Sequence, residues 1–152
     1  MGIHLKNTED VRTEAARFVD KLKPAAGATL ITLSGELGAG KTTFVQGIAQ
    51  ALGVEEVVTS PTFVIMKIYD LAGQRFSRLV HMDAYRLKGK EHLRVLGWDA
   101  LLADPGNLIC IEWPEKIPGA VSDAIHVTLR YSGEGRDITY GEEKNNKTAP
   151  HS

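Results

Sequence analysis

The sequence predicts an α/β fold with a mixed, mostly parallel central sheet flanked by helices. Residues 28–52 give the first indication, because a short β-prone run, a glycine-rich loop and a helical pattern follow one another there. Further along, strand patterns alternate with a helical pattern and also form adjacent pairs, which favours some antiparallel members. At 152 residues and 43% hydrophobic composition, the chain is long enough for one domain with its own core.

The first predicted element is an amphipathic helix over residues 8–22. Thr8 is a capping-type residue, acidic residues follow it in the first turn, and Pro24 lies just beyond the predicted end. Apolar residues recur along this segment at helical spacing, which predicts one buried face. They are Val11, Ala15, Phe18, Val19 and Leu22.

A phosphate-binding loop follows the β-prone run at residues 28–34. Gly35–Thr42 has the sequence GELGAGKT, which matches the pattern G-x-x-x-x-G-K-[ST]. Glycines allow the backbone amides to turn inward, and the N-terminus of the next helix adds partial positive charge. That helix is predicted over residues 42–52 and ends at Gly53. The loop therefore predicts a nucleoside triphosphate site.

Two side chains of the loop carry specific expectations. Lys41 is placed to reach the β- and γ-phosphates, and Thr42 to give its hydroxyl to Mg²⁺. Thr43 could compete for the metal, but the spacing of the motif favours Thr42. The alternative without chemistry is a glycine-rich turn with a surface lysine, and the flanking strand and helix argue against it.

The middle of the chain predicts a polar loop and a β-hairpin. Pro61 keeps residues 58–63 (VTSPTF) extended, and the strand patterns at residues 64–70 and 75–83 lie either side of the turn-forming sequence LAGQ. These two strands are therefore expected to be antiparallel. Asp70–Gly73 also matches the D-x-x-G of GTPases, but a hairpin turn explains it without chemistry.

The last third of the chain predicts a helix, a strand and a final β pair. Trp98, Leu101 and Leu102 are expected in the core. We place the domain at residues 1–140 and expect a polar, disordered tail at 141–152. The predicted elements are a helix at 89–103, strands at 107–113, 124–132 and 136–140, and turns at 104–106 and 133–135.

Two acidic residues end predicted strands, as a phosphate-loop metal site requires. Asp83 ends LVHMD and Glu112 ends LICIE, and either carboxylate could touch Mg²⁺ or hold its waters. His81 lies two residues before Asp83 and shares its strand face. It could orient a carboxylate, but we interpret it as a satisfied core histidine. Arg86 could neutralise phosphate charge or form a surface ion pair.

Composition limits the functional classes. Eighteen basic and nineteen acidic residues give a net charge of −1, so no broad electrostatic surface for nucleic acid or an anionic membrane is expected. The single cysteine, Cys110, lies in an apolar run and is typical of a reducing compartment. No stretch approaches membrane-spanning length, and the N-terminus has no signal-peptide pattern. We therefore expect a cytoplasmic protein without membrane attachment.

Taken together, four segments resemble the TsaE family, small bacterial ATPases required for making threonylcarbamoyladenosine (t6A) in tRNA. They occur in order along the chain, and the resemblance extends to about Tyr140. The combination is far more specific than the phosphate loop alone. The segments are GELGAGKTTF (Gly35–Phe44), TSPTF (Thr59–Phe63), HMDAYRL (His81–Leu87) and IEWPE (Ile111–Glu115).

The resemblance implies a P-loop NTPase-like fold with ATP as substrate and Mg²⁺ as cofactor. It implies that Thr42 and Glu112 hold Mg²⁺ and that Lys41 and Asp83 contribute to hydrolysis. Trp113 follows Glu112 at a strand end, where open α/β sheets place their ligands, so we add it to the nucleotide site. The implied nucleotide-binding residues are Gly38, Ala39, Gly40, Lys41, Thr42, Thr43, Thr13 and Arg136. The implied switch-like loop near the γ-phosphate is Thr59, Ser60, Pro61 and Thr62.

The same resemblance implies partners. TsaD and TsaB transfer the threonylcarbamoyl group to adenosine 37 in the anticodon loop of ANN-decoding tRNAs, and ATP hydrolysis here would reset their complex between turnovers. The chain is then expected to reach tRNA only through that complex and to hydrolyse ATP weakly alone.

The residues alone leave three alternative functions to consider. A small P-loop metabolite kinase would need an arginine-bearing lid over the phosphates, and no long arginine-rich insertion is present. A GTPase-like switch would need N-K-x-D, but residues 146–149 have the sequence NKTA. A nucleotide-dependent binding module with negligible turnover would resemble a partner-activated ATPase in isolation.

Overall fold

A computed structural model of the chain describes residues 2–36, 38–56, 58, 66–89, 91–121 and 123–142. The strands are β1 (Gly2–Leu5), β2 (Thr29–Gly35), β3 (Met66–Asp70), β4 (Arg78–Asp83), β5 (Asn107–Glu112), β6 (Ile125–Ser132) and β7 (Gly135–Glu142). The helices are α1 (Thr8–Asp20), α2 (Lys41–Ala51), α3 (Glu91–Val95) and α4 (Trp98–Ala103), with 3-10 helices η1 (Ala84–Arg86) and η2 (Pro114–Lys116).

The strands form one seven-stranded sheet in the order β1-β7-β6-β2-β5-β4-β3. The four central strands, β6, β2, β5 and β4, are parallel neighbours. The outer strands β3, β7 and β1 pair antiparallel with their neighbours. This arrangement confirms the predicted mixed α/β sheet, with β2 at its centre and the phosphate loop at the carboxyl end of β2.

The two faces of the sheet bury separate apolar clusters. Because successive strand residues point to opposite faces, Leu33 packs with α1 and α2, whereas Leu30 packs with α3 and α4. Phe44 of α2 and Trp98 of α4 are both in these clusters, and Trp98 is therefore in the core as predicted. None of the helices in the described part of the chain is long and apolar enough to span a membrane.

The N-terminal region differs in detail from the prediction. The α1 helix begins at Thr8, but the cap is Asn7, whose side-chain oxygen accepts a hydrogen bond from the backbone N–H of Asp10 at 2.9 Å. The helix ends at Asp20, two residues early. The β1 strand was not predicted, because four residues at a sheet edge give too short a pattern to recognise.

The later elements also required correction. The helix predicted over 89–103 is interrupted, because Gly97 has φ of 77° and caps α4. The β3–β4 pair is antiparallel as predicted, but its connection spans residues 71–77 and is closed by a bond from Leu71 N to Ser77 O. The β7 strand extends to Glu142, past the domain boundary placed at 140. Residues 143–152, most of the predicted tail, lie outside the described residues.

Gly47 sets the distance between α1 and α2. A Cβ atom there would lie 2.6 Å from the carbonyl oxygen of Arg12 and 2.8 Å from the Cβ of Ala15. We therefore expect Gly47→Val to lower the free energy of unfolding by about 1–3 kcal/mol, because the two helices must move apart. Urea denaturation measures this, with the exposed Gln50→Ala as the control, expected within about 0.5 kcal/mol of wild type. Equal stability of Gly47→Val and wild type would contradict the packing argument.

Candidate active site

The phosphate loop connects β2 to α2 through a backbone that glycine makes possible. Gly35 has φ of 146°, and a Cβ atom there would lie 2.2 Å from the carbonyl oxygen of Leu129 on β6. Gly40 has φ of 112° and immediately precedes α2. Both are conformations that residues with side chains rarely adopt. The backbone of the loop therefore leads directly into the N-terminus of α2. Leu37, within the loop, lies outside the described residues.

Lys41 lies inside this loop and is only 5% exposed. Its Nζ donates hydrogen bonds to the carbonyl oxygens of Gly35 at 2.7 Å and Glu36 at 3.1 Å. The same nitrogen lies 4.4 Å from the centre of the Trp113 ring, a cation–π distance. Burial lowers the pKa of Lys41, while Glu112 and two further carboxylates act in the opposite direction.

The carboxylate of Glu112 contacts one side chain from α2 and one from β4. Its Oε2 accepts a hydrogen bond from Oγ1 of Thr42 at 3.0 Å and lies 2.7 Å from Nε2 of His81. Glu112 is 3% exposed and His81 is fully buried. The contact with Thr42 brings together the two predicted metal residues. The interpretation of His81 as a core histidine without a role was incomplete, since this side chain contacts a site carboxylate.

Asp83 ends β4 directly beside Glu112 in the strand register. Its Oδ1 accepts a hydrogen bond from the backbone N–H of Tyr85 at 2.9 Å. Burial raises the pKa of Asp83, and the negative charge of Glu112 adds to the effect, while the Tyr85 bond opposes it. The two acids therefore lie at the ends of their strands, as predicted, and the structure shows that these strands are adjacent and parallel.

A cavity of about 430 Å³ lies over the loop and is large enough for a small organic ligand. Thr8, at the start of α1, lines it, whereas Thr13 is exposed on the same helix and lies outside the lining. The geometry thus favours Thr8 over the predicted Thr13. The lining residues are Lys6, Asn7, Thr8, Val11, Gly38, Gly40, Lys41, Thr42, Thr43, Glu112, Glu134 and Arg136.

Arg136 reaches the cavity from β7. Its Nε donates a hydrogen bond to the carbonyl oxygen of Ala39 at 3.1 Å, and its guanidinium lies 4.4 Å from the centre of the Tyr131 ring. These contacts hold a positive charge beside the phosphate loop. The position agrees with the nucleotide-binding role that the resemblance implied for Arg136.

Trp113 occupies an unusual position at the end of β5. Its φ of 62° and ψ of 51° are left-handed, a strained conformation for a tryptophan. The ring contacts Lys41 and lies 5.1 Å from the Tyr85 ring, and it is not among the residues that line the cavity. Trp113 therefore contacts the phosphate-loop lysine. The predicted switch-like residues Thr59, Ser60, Pro61 and Thr62 lie outside the described residues.

The oxygen atoms at the loop suit Mg²⁺. Thr42 supplies a hydroxyl and Glu112 a carboxylate, which are ligand types that Mg²⁺ prefers, and Asp83 adds a second carboxylate nearby. These residues could hold the cation directly or through its waters.

The contact between Lys41 and Trp113 predicts a spectroscopic signal. Trp98 is the only other tryptophan, so Trp98→Phe isolates Trp113. We expect the fluorescence of Trp113 to change on addition of ATP with Mg²⁺, because Lys41 exchanges part of its present surroundings for phosphate. The change should disappear when Lys41→Ala is added. A flat titration at concentrations where calorimetry shows saturation would contradict this coupling.

Comparisons with known proteins agree with this architecture. The family described as "Threonylcarbamoyl adenosine biosynthesis protein TsaE" matches residues 5–138. A TsaE protein of Streptomyces coelicolor is 43% identical over 118 residues, covering 76% of both chains. One from Nostoc is 39% identical over 110 residues, covering 70% of this chain and 65% of that relative, just under two thirds of its length.

A solved structure supports the same assignment. The crystal structure of Bacillus subtilis YdiB superposes with a TM-score of 0.76 at 28% identity, covering 96% of this chain and 87% of that one. The family match spans most of the chain, from before α1 into β7. The chain therefore belongs to the TsaE family.

Proposed function

We propose that this protein is a Mg²⁺-dependent ATPase that supports t6A modification of adenosine 37 in ANN-decoding tRNAs. The observation that carries the proposal is the arrangement of Lys41, Thr42 and Glu112 around the phosphate loop. Membership of the family described as a threonylcarbamoyladenosine biosynthesis protein supplies the pathway. In this proposal the chain acts in the cytoplasm on a complex of TsaD and TsaB, and contacts tRNA only through that complex.

Each side chain of the site has a part in the proposed reaction. Lys41 binds the β- and γ-phosphates as a buried positive charge, and the loop amides and Arg136 add further positive potential. Thr42 and Glu112 hold the cation, which neutralises charge on the phosphates when bound. Asp83 orients the attacking water, since its carboxylate lies beside Glu112 at the strand ends.

The proposal includes a dependence on partners. The net charge of −1 gives little surface for direct tRNA binding, so the isolated chain should bind unmodified tRNA weakly at physiological salt. We also propose that the isolated protein hydrolyses ATP slowly and that TsaD and TsaB accelerate hydrolysis. ATP hydrolysis by this protein then promotes release of the product from their complex and does not itself modify the tRNA.

A reconstituted t6A assay tests this proposal. TsaD and TsaB are supplied with a threonylcarbamoyl donor and an ANN-decoding tRNA, and t6A formed per complex is counted with and without this protein and ATP. We expect more than one turnover only when both are present, with inorganic phosphate released in step with ADP. Equal multiple turnover with Lys41→Ala would contradict the proposal.

The same reaction mixture separates the main alternatives. A metabolite kinase would transfer the γ-phosphate to a small molecule in a substrate screen, so that ADP would form without matching release of inorganic phosphate. A binding module would support turnover with a non-hydrolysable ATP analogue as well as with ATP. Either outcome would replace the hydrolase assignment.

A further inference from the structure

We infer that His81 is a positioning residue that fixes the carboxylate of Glu112 and, through it, the hydroxyl of Thr42. The inference rests on the proposed function and deepens it, because it assigns a task to a buried side chain beyond the phosphate loop. His81 comes from β4, Glu112 from β5 and Thr42 from the first turn of α2, so the contacts join three elements.

The hydrogen bonds define how each group is oriented. Oε2 of Glu112 accepts from Oγ1 of Thr42 at 3.0 Å, so the single hydroxyl proton of Thr42 is directed at the carboxylate. The lone pairs of that hydroxyl oxygen then remain available to bind a cation. Nε2 of His81 lies 2.7 Å from the same Oε2, and because an ionised carboxylate only accepts, we take Nε2 as the donor of this bond.

Burial makes this contact consequential. His81 is fully buried and Glu112 is 3% exposed, and an ionised carboxylate in such surroundings requires strong donors. Without the hydrogen bond from His81, the carboxylate of Glu112 would be less firmly oriented. The hydroxyl of Thr42 would then lose an acceptor in a fixed position. Groups that orient metal-linked residues in this way typically contribute about 10–100-fold to metal affinity.

The test measures metal binding directly rather than activity. Mn²⁺ is titrated into protein saturated with a non-hydrolysable ATP analogue, and bound Mn²⁺ is followed by electron paramagnetic resonance. A second titration measures binding of the analogue in EDTA. The variants are His81→Leu, His81→Gln and His81→Asn, with Leu79→Ala as the matched control, because Leu79 is fully buried on the same strand and the same face.

We expect His81→Leu to weaken Mn²⁺ binding about 10–100-fold while analogue binding in EDTA changes less than about twofold. His81→Gln should restore most of the affinity, because its amide extends towards the position of Nε2, whereas the shorter His81→Asn should not. Leu79→Ala should lose stability without a selective effect on Mn²⁺. If His81→Leu does not fold, the comparison of His81→Gln with His81→Asn still decides the question.

Two results would overturn the inference. One is a loss of Mn²⁺ affinity in His81→Leu no greater than in Leu79→Ala, and the other is equal Mn²⁺ affinity in His81→Gln and His81→Asn. Either result would contradict the role of His81 and would not affect the proposed nucleotide and metal site. Failure of the wild-type protein to bind Mn²⁺ with the nucleotide analogue would instead overturn the proposed function.

Discussion

Lys41→Ala is expected to weaken ATP binding by roughly tenfold or more. The side chain is nearly buried, donates to two loop carbonyl oxygens and contacts the Trp113 ring, so its charge is held where phosphates would bind. Hydrogen bonds to charged groups contribute about 1.5–3 kcal/mol, which corresponds to roughly 10–150-fold in affinity. Calorimetric titration of ATP measures the change.

Lys23→Ala is the matched control, because Lys23 is exposed in the segment after α1 and should leave ATP affinity unchanged. Thermal unfolding of both variants checks that the loop has not simply collapsed, since removing Lys41 also removes the donors to Gly35 and Glu36. Unchanged ATP affinity in a folded Lys41→Ala protein would remove the basis for a nucleotide site at this loop.

Glu112→Ala is expected to raise the Mg²⁺ concentration needed for half-maximal ATPase activity by roughly tenfold or more. The substitution removes the acceptor of the Thr42 hydroxyl and leaves His81 buried without its carboxylate partner. The measurement is phosphate release in the presence of TsaD and TsaB, as a function of Mg²⁺ at saturating ATP.

Asp83→Ala is the informative comparison for Glu112→Ala. Asp83 is its neighbour in the strand register, so both variants remove one carboxylate from the same edge of the sheet. We expect Asp83→Ala to lower the maximal rate with a smaller shift in the Mg²⁺ requirement. If only Asp83→Ala raises that requirement, the two roles are reversed.

Local patterns were sufficient to predict the phosphate loop and the acids at the strand ends. The loop motif specifies its own backbone, and the strand patterns end at Asp83 and Glu112. That the two acids are neighbours follows only from the pairing of β4 with β5 in the structure. Contacts between segments that are distant in the sequence could not be predicted from local patterns. The role of His81 depends on a partner 31 residues away on another strand, and its sequence position alone is equally typical of a core histidine.

Helix details show the same limit. Periodicity predicts α1 but not which of its turns faces the loop; the resemblance implies Thr13, whereas Thr8 lines the cavity. The pattern over residues 89–103 is helical on both sides of Gly97, and only the left-handed backbone there separates α3 from α4. The β1 strand is specified by pairing with β7, more than 130 residues later, and not by its own four residues.

The pairing of β1 with β7 has a consequence for the order of events during synthesis. The phosphate loop emerges from the ribosome long before Glu134 and Arg136, yet these residues form one wall of its cavity, and Lys6 and Thr8 form another. Contacts this far apart in sequence are slow to form, since the intervening chain must first be ordered. A nascent chain that displays the complete loop motif therefore still lacks part of the lining of this cavity. If the chain binds a nucleotide as proposed, we expect its full stabilising effect only once β7 has joined the sheet.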